Sequence, residues 1–236
     1  MESKKEINSN GFDYVDLCLP SGTLWATYNV GASRPSDYGL YFQWGDIKGY
    51  TKEQIGIEKD QKVFSWIDYK HSIIDARDQI GIEKKQNAFS WTDFKYSIDN
   101  CDSSFSKYNK EGETLDLEDD SVHVNMGGNW HMPTPEQIQE LIDNTTSEWM
   151  EKDGVKGRLF ISKKNASNSI FIPASGLAAD GYVYSDKNAG CIWSSTLNNN
   201  ITSGKCSGKT LYFRRTEPLQ DKCFRYYGLP VRGVIG

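Results

Sequence analysis

Five cysteines and three histidines are the residues of this chain that could carry nucleophilic, redox or metal chemistry. The cysteines are odd in number, and none has the C-x-x-C spacing of a zinc or redox motif: Cys18, Cys101, Cys191, Cys206 and Cys223. We therefore expect thiols, with one disulfide within the tail, such as Cys206 with Cys223, as the alternative. No flanking residues would predictably lower a thiol pKa.

The histidines show no hydrolase pattern, because no serine near His71, His123 or His131 lies in a G-x-S-x-G elbow. We expect His71 in a loop and the other two in a pair of strands. His131 follows Trp130, which favours a packed, hydrogen-bonded histidine over a general base. The sequence therefore predicts a protein that is not an enzyme.

A short acidic segment offers the oxygen ligands that calcium prefers, from Asp116, Glu118, Asp119 and Asp120. The segment lacks the D-x-D-x-D-G pattern of a calcium loop. Capping of a short turn, or pairing with nearby arginines, is the favoured interpretation. No metal and no cofactor are predicted.

The elements that must position these residues are short strands and one helix. Thr134 fits the N-cap of a helix over residues 135–143, with Pro135 at its first position and Gln137 completing a capping box. Residues 156–162 and 169–176 are predicted to form a hairpin. Further strands are predicted at residues 14–19, 24–26, 181–184, 191–196, 210–214 and 227–234.

The tail from residue 191 to residue 236 predicts a displayed binding surface. Residues 214–223 mix charges, an amide, a thiol and a proline with no period of 2.0 or 3.6, between aromatic segments. Long polar side chains would not be tolerated unpaired in a core, and arginine and aromatic residues dominate binding hot spots. The predicted ligand-binding residues are Trp193, Ser195, Asn198, Asn200, Arg214, Arg215, Glu217, Gln220, Lys222, Phe224, Arg225 and Tyr226.

Composition excludes several classes of protein. The 236 residues carry a net charge of −5 with mixed signs, and no basic stripe indicates nucleic-acid binding. Apolar runs are too short for a membrane helix, and no secretory signal follows the first residues. With 21 glycines and aromatic residues at 13%, the chain is expected to form an α+β fold of short antiparallel strands, few helices and long packed loops.

An internal repeat interrupts this pattern. Residues 54–73 and 79–98 match at 14 of 20 positions with an offset of 25. Two copies are too few for a solenoid, so a local duplication inside a loop region is expected. Neutral loop expansion is favoured because surface insertions cost little, and an oligomer contact or added binding arm is the alternative.

The framework segments resemble a known family. The segments that carry the resemblance are residues 16–26 (DLCLPSGTLWA), 38–46 (YGLYFQWGD), 127–134 (GGNWHMPT), 193–196 (WSST) and 225–232 (RYYGLPVR). This set resembles the Fibrobacter succinogenes major paralogous domain family of Bacteroidetes bacteria and their phages. The resemblance covers residues 13–236, with two departures: His131 stands where the family has an arginine, and Gly233 where it has a Pro-Val ending.

The resemblance implies a fold and a function. It implies a single C-type lectin-like domain of formylglycine-generating-enzyme type over residues 13–236. A flexible terminus is expected at residues 1–12, where the sequence is polar, and the duplicated insert at 54–98 is an addition to the family pattern. The resemblance also implies similarity to the variable proteins of diversity-generating retroelements, in which asparagine codons of the tail are rewritten. Asn198, Asn199 and Asn200 persist here, whereas residues 214–224 are chemically diverse.

The expected function is ligand recognition without catalysis, in a phage tail or on a bacterial surface. The partner would be a protein or glycan of a bacterial surface, with homo-oligomerisation as a further expectation and with neither nucleic acid nor membrane insertion. A module of fixed specificity is the first alternative. A formylglycine-generating type of oxidase, which needs paired reactive cysteines, is the second.

Overall fold

The two ends of the chain meet in one sheet of the computed structural model. The residues that it describes are 6–7, 10–55, 89–99, 104–110, 112–198 and 206–236. Strands β1 (Glu6–Ile7), β2 (Asp13–Asp16), β3 (Leu24–Ala26) and β12 (Val234–Ile235) form a sheet in the order β1-β2-β3-β12. Val234 pairs with Trp25, whose side chain is fully buried. Most of the predicted flexible terminus at 1–12 lies outside the described residues, although β1 pairs with β2.

Helix α3 (Pro135–Asn144) confirms the predicted helix and its start. The side chain of Thr134 accepts a hydrogen bond from Gln137 N, and the side chain of Gln137 accepts one from Thr134 N. Ile138 and Leu141 are buried on one face. Among the described residues two shorter helices precede it, α1 (Lys52–Ile55) and α2 (Ser121–Met126).

Helix α2 corrects the prediction for His123, which was expected in a strand. The carboxylate of Asp120 accepts hydrogen bonds from Val122 N at 2.9 Å and His123 N at 3.0 Å. This N-cap starts a helix, even though valine at positions 122 and 124 favours a strand. Capping of a short turn was predicted for the acidic segment, and Asp120 instead caps a short helix.

A meander of three strands follows α3. Strands β4 (Thr145–Lys152), β5 (Val155–Ser162) and β6 (Ser169–Pro173) are antiparallel in that order. The β5–β6 hairpin was predicted, whereas β4 was not, because its polar sequence shows no clean alternation. Strands β7 (Leu177–Ala179) and β8 (Tyr182–Tyr184) form a separate ribbon.

The tail forms a sheet that places the candidate site. Strands β9 (Gly190–Leu197), β10 (Ser207–Phe213) and β11 (Leu219–Phe224) are antiparallel in the order β11-β10-β9. Strand β9 is buried along its whole length, and β11 lies at the edge. No strand was predicted in residues 214–223, and this is corrected, because pairing with β10 makes a strand of residues 219–224.

The prediction for residues 227–234 is also corrected. A strand was predicted, but only Val234 and Ile235 form one. Residues 227–233 run irregularly through the interior and bond to several elements, as in the hydrogen bond from Leu229 N to Phe42 O at 3.0 Å.

The described residues show an α+β architecture of three short helices and several small antiparallel sheets. No helix among them is long and apolar enough to cross a bilayer. The largest hydrophobic cluster of the described core is rich in aromatic side chains, including Trp44, Trp130 and Trp193.

Candidate ligand-binding site

Two predicted site residues of β9 lie in the interior. Trp193 is 0% exposed and its Nε1 donates to Phe42 O at 2.8 Å. Ser195 is also buried, and its N–H donates to Pro133 O at 2.9 Å. Both belong to the frame beneath the surface, because β9 is buried along its whole length. Their prediction as contact residues is therefore corrected.

The prediction for Arg225 is wrong by the largest margin. A displayed arginine was predicted, but the side chain of Arg225 is 0% exposed. The guanidinium carbon lies 4.4 Å from the ring centre of Phe105 and 5.0 Å from that of Trp44. Its nitrogens donate to the carbonyl oxygens of Tyr108 and Lys107, both at 3.1 Å. Burial lowers the pKa of Arg225 to about 10. The aromatic cage and the two carbonyls compensate for removing this cation from water.

Phe224 and Tyr226 belong to a cluster of stacked rings. Their ring centres lie 5.8 Å apart with nearly parallel planes, and Trp91 lies 4.6 Å from Tyr226. Tyr226 is buried, whereas Phe224 and Trp91 are half-buried. Of the aromatic side chains predicted to contact ligand, Phe224 therefore keeps a partly accessible face.

The turn between β10 and β11 presents its side chains to solvent. We call residues 214–219 the display segment. Arg215, Thr216 and Glu217 are exposed, and Leu219 is 46% exposed, although it begins a strand. Only Pro218 of this segment is buried. Thr216 and Leu219 were not among the predicted residues, because nothing in their types distinguishes an exposed threonine or leucine from a buried one.

A buried arginine fixes the backbone of the display segment from below. Arg158 on β5 is 2% exposed, and its Nη2 lies 2.9 Å from Arg214 O and 3.1 Å from Arg215 O, and also within hydrogen-bonding distance of Thr216 O. Its Nη1 donates to Ser147 Oγ at 2.8 Å. Burial lowers the pKa of Arg158, an effect that the carboxylate of Glu217 opposes from 3.9 Å.

We call these contacts of Arg158 the clamp. The clamp holds the turn between β10 and β11 through the carbonyl oxygens of its backbone. A backbone carbonyl is present whatever the side chain, so the clamp does not depend on the identities of residues 214–216. The side chain of Glu217 is 89% exposed, and an ion pair this exposed contributes little to stability. Nothing in the sequence pointed to Arg158, because its carbonyl partners lie 56 to 58 residues further along the chain.

Three predicted polar residues lie at the margin of the display segment and are half-buried. Arg214 Nε donates to Tyr212 Oη, and Gln220 Nε2 donates to Pro135 O at 2.9 Å. Lys222 N donates to the carboxylate of Asp221 at 2.9 Å, and burial raises the pKa of this carboxyl group. The side chains of Arg214 and Gln220 are thus partly engaged with the fold and are less available than those of Arg215 and Glu217.

The predicted asparagines lie at the far end of β9. Asn198 Nδ2 donates to Ser207 Oγ at 3.1 Å, which joins the end of β9 to the start of β10. The side chain is half-buried. Asn200 lies outside the described residues.

The acidic segment holds a lysine. Carboxylate oxygens of Asp116, Glu118 and Asp119 lie within 4.8 Å of one another. Lys107 Nζ lies 2.7, 3.2 and 2.6 Å from these three carboxylates, so an ammonium stands at the centre of the group. Lys95 Nζ lies 2.7 Å from Asp119. The predicted pairing is thus seen with lysines rather than arginines.

The structure brings two cysteines together that the sequence left apart. Cys191 Sγ and Cys223 Sγ lie 3.7 Å apart, in a buried position. The hydrogen bond to Cys191, together with burial, raises the pKa of Cys223 well above its usual value. A protonated thiol is the less reactive form. None of the four cysteines among the described residues forms a disulfide.

The described histidines are hydrogen-bonded within the fold. The two ring nitrogens of His131 lie 2.9 Å from Met132 O and 3.3 Å from Gly236 O. His123 Nδ1 lies 3.2 Å from Trp130 O. This is the environment predicted for His131, and His71 lies outside the described residues.

Comparison of the chain with protein-family models, with curated proteins and with solved structures found no match in any of the three. Its function is therefore inferred from its own residues and their geometry.

Proposed function

We propose that this protein is a ligand-recognition module without catalytic activity, and that residues 215–219 form the centre of its contact surface. One observation carries the proposal: the display segment is held by Arg158 through backbone carbonyls, while the side chains of Arg215, Thr216 and Glu217 face solvent. A surface that is fixed in shape and free in side-chain identity suits recognition. The partly accessible ring of Phe224 extends the same surface along the edge strand.

The chemical character of the surface favours a polar partner with an apolar contact point. The segment offers one guanidinium, one carboxylate, one hydroxyl and the half-exposed side chain of Leu219. Arginine forms bidentate hydrogen bonds with planar acceptors such as carboxylates. A protein or glycan on a bacterial surface presents such groups, and it is the ligand that we propose.

We further propose that the fold is C-type lectin-like and that the chain is a variable protein of a diversity-generating retroelement, acting in a phage tail or on a bacterial surface. The resemblance of the framework segments to the Fibrobacter succinogenes major paralogous domain family supports this. So does the burial of the framework residues Trp25, Trp44, Trp130 and Arg232 beneath a display segment of mixed chemistry. His131 and Gly233, the two departures from the family pattern, lie beside β12 and leave the display segment untouched.

A module of fixed specificity would have the same clamp and the same exposed residues. The encoding genome separates the two: a reverse transcriptase gene beside a near-copy of the tail, differing at adenines, is expected of a variable protein. A genome with neither would favour fixed specificity.

The Cys191–Cys223 pair is the one observation that favours an oxidase, since such an enzyme requires two neighbouring thiols. The raised pKa of Cys223 opposes it, because metal and carbon chemistry both need the thiolate. Titration with Cu(I), followed by the thiolate-to-metal absorption, decides between them. The recognition proposal predicts no tight stoichiometric complex, and such a complex would revive the oxidase.

The direct test of recognition uses fluorescently labelled protein on intact Bacteroidetes cells and on a printed glycan array. The variant Arg215→Ala/Thr216→Ala/Glu217→Ala/Leu219→Ala should lose the binding seen with the parent. Its melting temperature should stay within a few degrees, since exposed substitutions change stability by about 0.5 kcal/mol or less each. The control Glu151→Ala/Lys164→Ala/Ser167→Ala removes one carboxylate, one cation and one hydroxyl from exposed positions of β4 and of the β5–β6 turn and should bind normally. Binding that survives in the display variant would refute the proposal.

A further inference from the structure

One face of the tail sheet forms a hollow beside the display segment. Cys191 on β9 and Cys223 on β11 lie on strands that β10 separates, yet their Sγ atoms are 3.7 Å apart. Strands two places apart in a flat sheet lie roughly 9.5 Å from each other. The two outer strands therefore lean towards each other over β10, and this face of the sheet is concave.

The hollow contains a small cavity, which we call the anchor pocket. Its walls include the two thiols, the side chains of Leu177 and Ala189, and the ring of Tyr212. These groups are mostly apolar. The volume of the pocket is about 30 Å³. One water molecule needs about 10–15 Å³ of such a volume, so the pocket has room for about two or three waters, or for the last few atoms of one side chain.

The strand register places the anchor pocket next to the display segment. Leu219, the last residue of that segment, pairs directly with Tyr212. Asp221 follows Leu219 by two residues, so both side chains lie on the same face of the sheet. Tyr212 and Asp221 line the pocket, and Arg214 Nε donates to Tyr212 Oη. A partner that contacts Leu219 can therefore reach into the pocket with one side chain.

The wall that faces the sheet is held in place by backbone contacts. Gly176 N donates to Ala189 O at 2.8 Å, and Ala189 N donates to Ser185 O at 2.9 Å. Gly176 has a φ of 65°, and a Cβ there would collide with Tyr184 O, so this position requires glycine. Ser185 also has a left-handed backbone, with a φ of 58°. The wall is thus fixed before a ligand arrives, which lowers the ordering cost of binding.

Asp221 gives the anchor pocket its charge. The residue is half-buried, and the one hydrogen bond that its carboxylate accepts from the described residues comes from Lys222 N at 2.9 Å. Burial raises the pKa of this carboxyl group, and the opposing effects of that hydrogen bond and of the Lys222 and Arg214 cations do not outweigh it. A further cation beside the carboxylate would therefore stabilise its ionised form.

These properties together select one kind of ligand group. The apolar walls suit a hydrocarbon stem, and the carboxylate suits a cation at the end of that stem. Lysine combines the two, because it carries a compact ammonium on a flexible four-carbon stem. The planar guanidinium of arginine is broader. A sugar ring with its hydroxyls is larger than two or three waters and would meet mostly apolar walls.

We propose that the anchor pocket receives a lysine side chain of a protein partner, whose ammonium pairs with the carboxylate of Asp221 while the neighbouring surface of the partner lies on the display segment. This inference rests on the proposed function and deepens it. It names the group that the partner inserts, and it favours a protein over a glycan as the ligand.

The first test titrates the full chain with n-butylamine, which reproduces a lysine side chain, at neutral pH and constant ionic strength. The controls are 1-butanol, which keeps the stem without the charge, and butyrate, which reverses the charge. The amine should shift the backbone amide signals of Cys191, Tyr212, Asp221 and Cys223 in NMR spectra and saturate with a dissociation constant on the order of millimolar. Binding of butanol or butyrate as tight as that of the amine would overturn the proposal.

Two variants test the pocket from within. Asp221→Asn removes the charge and keeps the shape, and it should melt within a few degrees of the parent but bind the amine at least about tenfold more weakly. Ala189→Val adds two carbons inside the pocket and leaves Asp221 in place, and it should also weaken binding. The matched control Asp143→Asn changes an exposed carboxylate on α3 and should bind like the parent. Parental affinity in both pocket variants would exclude the pocket as the site.

The source of the ammonium is tested on cells that the parent protein binds. Acetylation of the surface lysines of these cells should abolish binding, and oxidation of their glycans with periodate should leave it intact. Binding that survives acetylation would rule out a lysine of the partner. The amine titration needs no partner, so its outcome is separate from that of the display variant, which tests the proposed function.

Discussion

Replacing Arg158 by methionine tests the clamp beneath the display segment. Methionine keeps a long side chain but has no donors, so the carbonyl oxygens of residues 214–216 and Ser147 Oγ lose their partner. One nitrogen has two hydrogens, so the three carbonyls count as about two hydrogen bonds to a charged group, each worth about 1.5–3 kcal/mol. Removing the buried guanidinium offsets part of this loss in stability, because burying a charge away from water costs several kcal/mol. We therefore expect a net loss of about 2–4 kcal/mol.

Urea unfolding and hydrogen exchange measure this effect. For a chain of this length the loss corresponds to a fall in melting temperature of about 5–15 °C. Amides of residues 214–217 should exchange faster, and binding should weaken although every exposed side chain is present. The control Glu217→Ala removes only the exposed partner of Arg158 and should change stability by less than about 1 kcal/mol. An Arg158→Met protein with parental stability and parental exchange in the display segment would refute the clamp.

Three further predictions concern the frame around the site. Trp193→Ala should lose about 3–5 kcal/mol in urea unfolding, because Trp193 is fully buried and donates to Phe42 O; parental stability would place it on the binding face. Iodoacetamide at neutral pH should leave Cys223 unmodified in the folded protein and modify it in urea, because its raised pKa keeps the thiol protonated; equal rates in both states would contradict this. Burial alone would raise the pKa of Asp119, but hydrogen bonds from Lys107 and Lys95 outweigh it and lower the pKa. The Asp119 carboxylate therefore stabilises the fold at pH values above its unfolded pKa of about 3.9, and this stabilisation is lost as the pH falls towards the lowered pKa of the folded state. Asp119→Asn should flatten the dependence of the melting temperature on acid pH. An unchanged dependence would argue against this role of Asp119.

Local signals in the sequence predicted local structure well. The helix at residues 135–144 was predictable because Thr134, Pro135 and Gln137 specify its start within four residues. The β5–β6 hairpin was likewise predictable from two strand-forming segments joined by a short polar turn. Strand β11 was not predictable, because its sequence has no alternation and it is a strand only by pairing with β10.

The features that could not be predicted depend on contacts between residues that are far apart in the chain. Arg225 was expected at the surface, since a guanidinium is seldom buried, yet its carbonyl partners lie 117 and 118 residues away in the chain. The Cys191–Cys223 pair joins residues 32 positions apart. Arg215 and Glu217 were predicted because long polar side chains are not tolerated unpaired in a core, and the structure exposes both.

The most direct test of the central claim is the stability of a library randomised at Arg215, Thr216, Glu217 and Leu219. Protease resistance of each displayed variant reports whether it folds. If the backbone clamp alone holds the display segment, most members should resist protease like the parent, whereas a library of equal size at four buried positions should not. Loss of resistance in most members of the display library would show that these side chains stabilise the fold, and would contradict the account.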